Sequence, residues 1–482
     1  MYCQLEALRH CLPPSVKGIL DELPESLDET YERVLRSINK ANRDHAFRLL
    51  QCVTVAVRPL RVEELAEVLA VDFDATRNGG MLNVKPDWRW SDQHQAVLST
   101  CSSLIAIVYD GYSQVVQFSH FSVKEFLTSD RLACSSADVS RYHVLLSPAH
   151  TVLAQACLGV LLRLDDHITE DNASDIPLVD YAARHWMGHA QFEDVASHIQ
   201  DVMVYFFDAD KPHWAAWHRV YDIDDSDWSD FTPDPAIPTQ APLYCAALCG
   251  FYDLAEHLVV KDPEGVKASG GRMVTPLIAA LHGNHFRVAD LLHTHGSDIH
   301  ARGKWGGTVL HGASCNGLVD IVRWLLDHDA DVNARDIDGF TPLHLRWTLG
   351  HPEVCRTLLE HNADINARDK FGKVPLHWVA MIEGESDVLD AKDMLKTMQL
   401  LLDHGADPNV RDDDGCTPLH DSSWWKKRGY VTGKGTVEGS RVLLDHGADI
   451  DAENKHGKTP LQLAFEKGHR EMAEFLLGRG AK

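Results

Sequence analysis

Seven short phrases of one pattern recur through the second half of this 482-residue sequence at nearly constant spacing. Their second residues are Pro242, Pro276, Val309, Pro342, Pro375, Pro418 and Pro460. The intervals between them are 34, 33, 33, 33, 43 and 42 residues. A period of this length indicates a tandem array of small units, each of which buries its apolar face against its neighbours.

The chemistry of one unit predicts a pair of helices and a projecting turn. Thr341 can cap a helix by accepting a backbone N–H, and Pro342 suits the first helical position, where its missing N–H needs no partner. The next segment, PEVCRTLLEH, predicts a second helix with Val354 and Leu358 on its apolar stripe. A polar, Asp-rich segment that ends in glycine, such as residues 328–339, predicts the turn to the next unit.

These phrases closely resemble ankyrin repeats over about residues 239–482, in seven units. The resemblance implies an α-solenoid that binds proteins through its projecting turns and concave helix face. Exposed aromatic side chains among charges are typical interface anchors. The predicted partner-binding residues are Trp305, Ile337, Phe340, Trp347, Lys370, Phe371, Lys373, Trp378, Asp412, Asp413, Asp414, Lys455 and His456.

Several of the middle repeats carry bulky side chains where the pattern has small ones. Arg346 and Trp347 replace a pair of alanines, Trp378 follows a histidine, and Trp424 and Trp425 precede an insertion. This bulk indicates either a partner-binding surface or local degeneration of the repeat, and the sequence leaves both interpretations open.

The first half lacks such a repeat and is predicted to be mostly helical. Residues 23–38 predict a helix capped at Ser26, with Glu29 completing a capping box. Three further helices and a hairpin predict a winged helix at about 43–132. The predicted elements are helices over 43–57 and 62–71, strands over 105–109 and 115–118, and a closing helix after His120.

A second resemblance covers nearly the whole chain. Four segments, LPESLDETYERVLRSI, RPLRVEELAEVLAV, VVQFSHFSVKEFL and PLVDYAARHWMGHA, look like the region that follows the NACHT module in fungal NLR-like (STAND) proteins. The winged helix resembles the GPI inositol-deacylase type. The expected fold is mainly α: a winged-helix domain and helical linker, then the ankyrin solenoid. The expected domains are a helical segment (1–42), the winged helix (43–132), a helical linker (133–238) and the ankyrin repeats (239–482).

The same resemblance implies a role for His120. In NLR-like proteins, a histidine in a phrase similar to FSHFSVKEF contacts the bound nucleotide, so His120 is expected to sense nucleotide only together with a NACHT module. Such proteins carry that module on the N-terminal side, and this chain is expected to begin just after it. The alternative interpretation is that His120 caps the helix that follows it.

Residues 452–459, AENKHGKT, satisfy a relaxed phosphate-binding loop pattern. A working phosphate loop follows a buried strand and opens a helix, so that backbone N–H groups surround the phosphates. Here a helix and a polar turn precede the match, and Thr459 is needed as a helix cap. We therefore predict an ankyrin turn, with Lys458 at a variable surface position.

No other pattern indicates catalysis or a metal. Zinc needs four convergent ligands, whereas Cys245/Cys249 and His213/His218 each lack a partner pair. A calcium loop measured back from Gly415 would have Val410 at its first position. We predict a non-enzymatic protein with no cofactor and no metal.

Charge and cysteine content restrict the partners and the compartment. The formal net charge is −25, which disfavours nucleic acid and anionic lipid as partners. The sequence lacks a secretory signal pattern and any apolar run long enough to span a membrane. Eleven cysteines without a repeating spacing are typical of a reducing compartment. The predicted location is the cytoplasm, with the nucleus as the alternative.

Together these features predict a protein that recognises protein partners through its ankyrin surface. The NLR-like resemblance implies the sensor half of a signalling receptor in contact with a NACHT module. The alternative is a nucleotide-regulated STAND NTPase switch whose NACHT domain is missing from this chain.

Overall fold

The computed structural model shows a mainly helical protein with a small antiparallel sheet in its N-terminal part. The chain divides into two compact units, Met1–His295 and Gly296–Lys482. This division falls within the repeat region, and the predicted domain boundaries stay predictions. The described residues are 26–73, 82–89, 92–93, 97–98, 104–111, 113–168, 170–173, 175–221, 223, 241–268, 275–303, 305–344, 351–381, 388–424 and 434–482.

The first unit begins with helices around a three-stranded sheet. The helices are α1 (Leu27–Ser37), α2 (Arg43–Val55), α3 (Val62–Val68) and α4 (Phe121–Leu127). The strands are β1 (Leu60–Arg61), β2 (Ile105–Asp110) and β3 (Ser113–Phe118). Strand β3 lies in the middle and pairs antiparallel with both others. The hairpin β2–β3 confirms the predicted strands, whereas the two-residue strand β1 is too short to give a periodic signal.

Helix α1 packs against this domain. Ser26 caps α1 by accepting a hydrogen bond from the Glu29 amide at 3.2 Å, as the sequence predicted. The buried Tyr31 ring lies 5.5 Å from the Phe126 ring of α4. Its hydroxyl is 2.8 Å from the Ser122 Oγ.

The next part of the first unit is built only from helices within the described residues. They are α5 (Asp130–Ala133), α6 (Ala137–Ser140), α7 (Leu146–Leu161), α8 (Glu170–Ala173), α9 (Val179–Ala190), α10 (Val195–His198), α11 (Gln200–Phe206) and α12 (Pro212–Val220). The fully buried Trp186 of α9 lies among aromatic rings, 5.5 Å from Phe206, 6.1 Å from Trp217 and 5.7 Å from Phe251. Because Phe251 belongs to the first repeat, one aromatic cluster joins the helical segment to the repeats.

The repeats form helix pairs as predicted. In the first unit they are α13 (Pro242–Cys249), α14 (Tyr252–Lys261), α15 (Pro276–His282) and α16 (Phe286–Thr294). In the second unit they are α17 (Val309–Cys315), α18 (Val319–Asp327), α19 (Pro352–Glu360), α20 (Pro375–Ala380), α21 (Val388–Asp403), α22 (Pro418–Trp424), α23 (Lys434–Asp445), α24 (Pro460–Lys467) and α25 (Arg470–Gly478). A 3₁₀ turn at Pro342–His344 begins the pair that contains α19.

Histidines of the repeated phrase connect neighbouring repeats. Each accepts a backbone N–H of its own repeat at Nδ1 and donates from Nε2 to a carbonyl oxygen of the next. The Nε2 contacts are His311 to Phe340 O (3.0 Å), His344 to Lys373 O (3.4 Å), His377 to Cys416 O (3.1 Å) and His420 to Lys458 O (3.0 Å). Burial lowers the pKa of all four, so these rings serve as neutral bridges.

Among the residues that the structure describes, no helix has the length and hydrophobicity needed to cross a lipid bilayer.

Candidate functional site

Each projecting turn of the second unit ends in a glycine with a left-handed backbone. The φ values of Gly306, Gly339, Gly372, Gly415 and Gly457 are 71°, 80°, 72°, 74° and 66°. Glycine adopts this conformation without the steric penalty of a Cβ. At Gly415, a Cβ would also lie 2.9 Å from the amide nitrogen of Lys455 in the next turn. The glycines therefore allow both the turn and the close approach of its neighbour.

Backbone hydrogen bonds join these turns into one row. The bonds run from Ile337 N to Trp305 O (3.2 Å), Lys370 N to Asp338 O (2.9 Å), Asp413 N to Phe371 O (3.1 Å) and Lys455 N to Asp414 O (3.0 Å). We call the nine residues of these bonded tips, with His456 included, the tip strip: Trp305, Ile337, Asp338, Lys370, Phe371, Asp413, Asp414, Lys455 and His456. Because main-chain bonds hold the strip, little ordering is needed when a partner binds.

Arginines at the base of the turns reinforce the row. The Arg368 guanidinium donates to Gly372 O of its own turn and to Arg411 O of the next, both at 2.8 Å. Arg335 and Arg411 make the equivalent pair of bonds in their turns. The tip strip is thus fixed by backbone hydrogen bonds between the tips and by arginine hydrogen bonds at the bases of the turns.

The tip strip presents apolar side chains at one end and carboxylates further along. Trp305, Ile337 and Phe371 are 68%, 63% and 45% exposed. Asp413 and Asp414 are exposed, and neither carboxylate forms an ion pair with a residue that the structure describes. Large exposed apolar side chains on a rigid scaffold are typical of a protein-binding surface.

Three of the predicted partner contacts are not exposed. Phe340 is only 3% exposed, and its ring packs at 5.2 Å against Trp378. It lies where the chain returns from the tip to the helix cap, so its side chain is under the turn. The side chains of Lys373 and Asp412 are 15% and 4% exposed, because they pair with each other. The expectation of exposure is wrong for these residues, while partner binding itself stays a prediction.

Besides the exposed Trp305, the two remaining tryptophans among the predicted contacts are Trp347 and Trp378. Trp378 is half-buried and donates its Nε1 hydrogen to Asp369 Oδ2 at 2.9 Å. Trp347 lies outside the described residues.

Lys373 is the centre of a buried charged group, which we call the Lys373 cluster: Lys373, Asp412 and Asp421. The Lys373 Nζ lies 2.8 Å from Asp412 Oδ2 and 2.6 Å from Asp421 Oδ2. Burial raises the pKa of Asp421 to about 7, against the opposing effect of Lys373. Burial also acts against the ionisation of Asp412, but the hydrogen bond from Lys373 outweighs it and the pKa of Asp412 is lowered. Asp412 therefore carries the negative charge that balances the ammonium.

The Lys373 cluster lies next to a histidine but does not fit a metal ion. Ligand-type atoms of His377, Asp412 and Asp421 lie within 4.8 Å of one another. The His377 Nδ1 accepts the Val374 N–H at 3.1 Å, and Nε2 is used for the repeat bridge. With both ring nitrogens engaged and an ammonium between the carboxylates, the group is an ion-pair cluster.

Asp421 was not among the residues predicted from the sequence, although the sequence contains a signal for it. Asp421 follows the repeated phrase directly, where other repeats place Ala279, Gly312 or Trp378. A carboxylate at such a helix position needs a partner when it is buried.

His120 is the N-cap of α4. Its Nδ1 accepts the Ser122 N–H at 3.3 Å and lies 2.6 Å from the Ser122 Oγ. The ring is exposed and lies 4.3 Å from the ring of Phe121, which is 72% exposed. The capping interpretation is confirmed, and nucleotide sensing stays a prediction.

The segment AENKHGKT forms an ankyrin turn and helix cap, as predicted. Asn454 Oδ1 accepts the amides of His456 (2.9 Å) and Lys458 (3.0 Å). Thr459 Oγ accepts the Gln462 amide at the start of α24. These backbone donors are used within the turn, and the Lys458 ammonium pairs with Glu466, so the segment does not form a phosphate cradle.

Comparisons with known families identify both parts of this architecture. The family described as "GPI inositol-deacylase, winged helix domain" matches residues 31–138. "Ankyrin repeats (3 copies)" matches residues 277–369 and 396–482. "Ankyrin repeats (many copies)" matches 348–391, and "Ankyrin repeat" matches 371–413.

One similar curated protein is "Azaphilone pigments biosynthesis cluster protein L" of Monascus ruber. It is 29% identical over an alignment of 297 residues that covers 58% of this chain. The chain spans 61% of the length of that relative.

The predicted mainly α fold class is confirmed. The ankyrin repeats of this chain are non-enzymatic modules of a kind that generally binds proteins. The chain carries a GPI inositol-deacylase winged helix domain followed by ankyrin repeats.

Proposed function

We propose that this chain is a non-enzymatic recognition protein that binds a protein partner through the tip strip. The observation that carries the proposal is the exposure of Trp305, Ile337 and Phe371 on turns that backbone hydrogen bonds already hold in a row. Truncation of such anchors typically costs about 2 kcal/mol or more of binding free energy.

Affinity capture with the full chain tests this proposal. We expect the triple variant Trp305→Ala/Ile337→Ala/Phe371→Ala to lose proteins that the wild type retains, and isolated partners to bind it at least about 100-fold more weakly. Phe465→Ala is the matched control, because Phe465 is 60% exposed but lies outside the tip strip. Equal retention by the triple variant and the wild type would reject the tip strip as the binding surface.

In the finer form of the proposal, the chain is the sensor half of an NLR-like receptor. The ankyrin repeats would detect the partner, and the winged helix would contact a NACHT module. The order of winged helix and repeats supports this proposal. The printed name of the Monascus ruber relative places that protein in a pigment biosynthesis cluster and names no partner.

We place the protein in the cytoplasm, with the nucleus as the alternative. Free, buried thiols at Cys52 and Cys157 support a reducing compartment. Microscopy of the tagged full chain checks this, and a secreted or vesicular signal would contradict it.

A nucleotide-regulated switch is the second candidate, favoured by the exposed His120 at the start of α4. Calorimetric titration with ATP and with ADP, of the purified chain alone and mixed with a NACHT module, separates the candidates. The recognition proposal predicts that the chain neither binds a nucleotide nor changes nucleotide binding by the module. An effect of the chain that is lost in His120→Ala but kept in Lys458→Ala would favour the switch.

A further inference from the structure

The tip strip changes its chemistry along its length, and this change defines the segment that it can bind. We propose that its occupant is an extended peptide segment in which apolar side chains are adjacent to a pair of Lys or Arg side chains. This inference rests on the proposed function and specifies the partner of the same surface.

The apolar end is contiguous. A Cβ on Gly306 would lie 2.9 Å from the Ile337 Cγ2, so the tips that carry Trp305 and Ile337 are in close contact. The next tip adds Phe371, which is 45% exposed. Three neighbouring turns therefore provide apolar contacts for alternate side chains of an extended segment.

The charges between these apolar side chains are balanced within the strip. The Lys370 ammonium pairs with Asp338 and lies 5.1 Å from the centre of the Phe371 ring. This part of the strip therefore offers a partner mainly apolar surface.

The acidic tip, which precedes the last tip with Lys455 and His456, is not balanced in this way. Asp413 and Asp414 form no ion pair with any described residue. The neighbouring cations donate to main-chain oxygens instead: Arg411 to Gly415 O and Glu453 O, and Lys455 to Asp413 O. The two exposed carboxylates are thus available to cations of a partner, which contribute specificity more than affinity.

The dimensions of the strip set the length of the occupant. Trp305 and Asp414 are three repeats apart. Each step from one repeat to the next is about 10 Å, which is the distance between packed helices. The distance is therefore about 30 Å, which an extended chain covers with about nine residues at roughly 3.3 Å each.

Selection from a phage-displayed library of random 12-residue peptides on the immobilised full chain tests the inference. We expect the enriched peptides to combine aromatic or branched apolar residues with adjacent Lys or Arg. Synthetic copies, measured by fluorescence polarisation, should bind Asp413→Asn/Asp414→Asn roughly tenfold more weakly. Their affinity should also fall with added salt. The control Glu360→Gln/Glu471→Gln removes two exposed carboxylates outside the strip and should bind as the wild type does.

The contrary outcomes are distinct. Peptides without basic residues, or peptides that bind wild type and Asp413→Asn/Asp414→Asn equally, overturn the inference. Peptides that bind the Trp305→Ala/Ile337→Ala/Phe371→Ala variant unchanged place the binding surface elsewhere and overturn the proposed function as well. If no peptide is enriched while captured proteins still require the tip strip, the partner uses a folded surface, and only the inference fails.

Discussion

At the residue scale, Lys373 shows how a charged side chain at a turn can become part of the core. Its ammonium lies between Asp412 and Asp421, whose side chains are 4% and 6% exposed. Removing one partner of a buried ion pair leaves the others without compensation, and this loss exceeds the net contribution of the intact pair.

We expect Lys373→Met to lower the free energy of unfolding by about 3 kcal/mol, because the buried Asp412 carboxylate loses its cation and Asp421 loses the same hydrogen-bond donor. Denaturant unfolding of the full chain, followed in the repeat region by hydrogen exchange, measures this loss. Adding Asp421→Asn to the variant should recover part of it. Lys396→Met, which removes an exposed pair with Asp393, should cost about 1 kcal/mol or less. Equal losses in the two lysine variants would contradict a buried role for Lys373.

The bridging histidines make the repeats sensitive to acid. Burial lowers the pKa of His377 from 6.5 to about 4, so between these values the unfolded chain binds more protons than the folded one. Stability therefore falls as pH decreases through this window. Asp421 acts in the opposite direction, because its pKa is raised from 3.8 to about 7 and the folded chain holds the additional proton.

His377→Gln tests the histidine contribution, since Gln462 occupies the same position in the last repeat and bonds the Thr459 amide there. At pH 7.5 the variant should lose about 1 kcal/mol with the bond to Cys416 O. Between pH 6.5 and 4 it should lose less stability than the wild type. Urea unfolding at pH 7.5, 6 and 5 gives both values. The exposed His404, changed to Gln, is the control, and an unchanged pH dependence in His377→Gln would refute the bridge as the acid-sensitive group.

At the element scale, the projecting turns are defined by their glycines. Gly415 and Gly457 occupy the same turn position with φ values of 74° and 66°. Of these two glycines, only Gly415 would bring a Cβ against the neighbouring turn, 2.9 Å from the Lys455 amide nitrogen. The two positions therefore separate backbone strain from the close approach of the next turn.

We expect both Gly415→Ala and Gly457→Ala to cost about 1 kcal/mol for the left-handed backbone. Gly415→Ala should cost more, and it should speed hydrogen exchange at the Lys455 amide, which bonds Asp414 O. Unfolding free energies and exchange rates of the two variants provide the comparison. If the two variants lose the same free energy of unfolding, the close approach of neighbouring turns does not contribute to the stability of the strip.

At the scale of the whole molecule, helix α9 connects parts of the first unit that are far apart in the sequence. Val57 N–H donates to the Tyr181 oxygen at 3.1 Å, the same oxygen lies 2.8 Å from His189 Nε2, and His189 Nδ1 lies 2.8 Å from His150 Nδ1. Burial lowers the pKa of His189 to about 3, so its ring is neutral in this chain of bonds. Just beyond the helix end, Gln191 bonds Cys249 O of the first repeat at 2.7 Å.

Tyr181→Phe should leave the Val57 amide and His189 Nε2 without partners and cost about 2 kcal/mol. We expect faster hydrogen exchange at Val57 and along α9, measured by mass spectrometry. Tyr205→Phe is the control, because Tyr205 is 40% exposed. Unchanged hydrogen exchange at Val57 would show that the Tyr181 hydroxyl does not stabilise the contact between Val57 and helix α9.

Features that depend only on residues close together in the sequence were predictable from it. They include the Ser26 cap of α1, the β2–β3 hairpin, the helix pairs and the cap at Thr459. Each follows from a short pattern, such as a cap followed by an apolar stripe, whose effect is local. Strand β1 was not predictable, because its two residues are held only by pairing with β3.

The sequence by itself determined the repeat array, because its period and its Thr-Pro and glycine positions set where each helix starts and each turn projects. Only the tertiary structure decided which turn residues are exposed. Phe371 and Asp413 project from tips, whereas Phe340, Lys373 and Asp412 lie at the bases of the same kind of turn and are covered by the adjacent repeat. A buried charge persists only where another repeat supplies its counter-charge, and that pairing arises when the repeats stack.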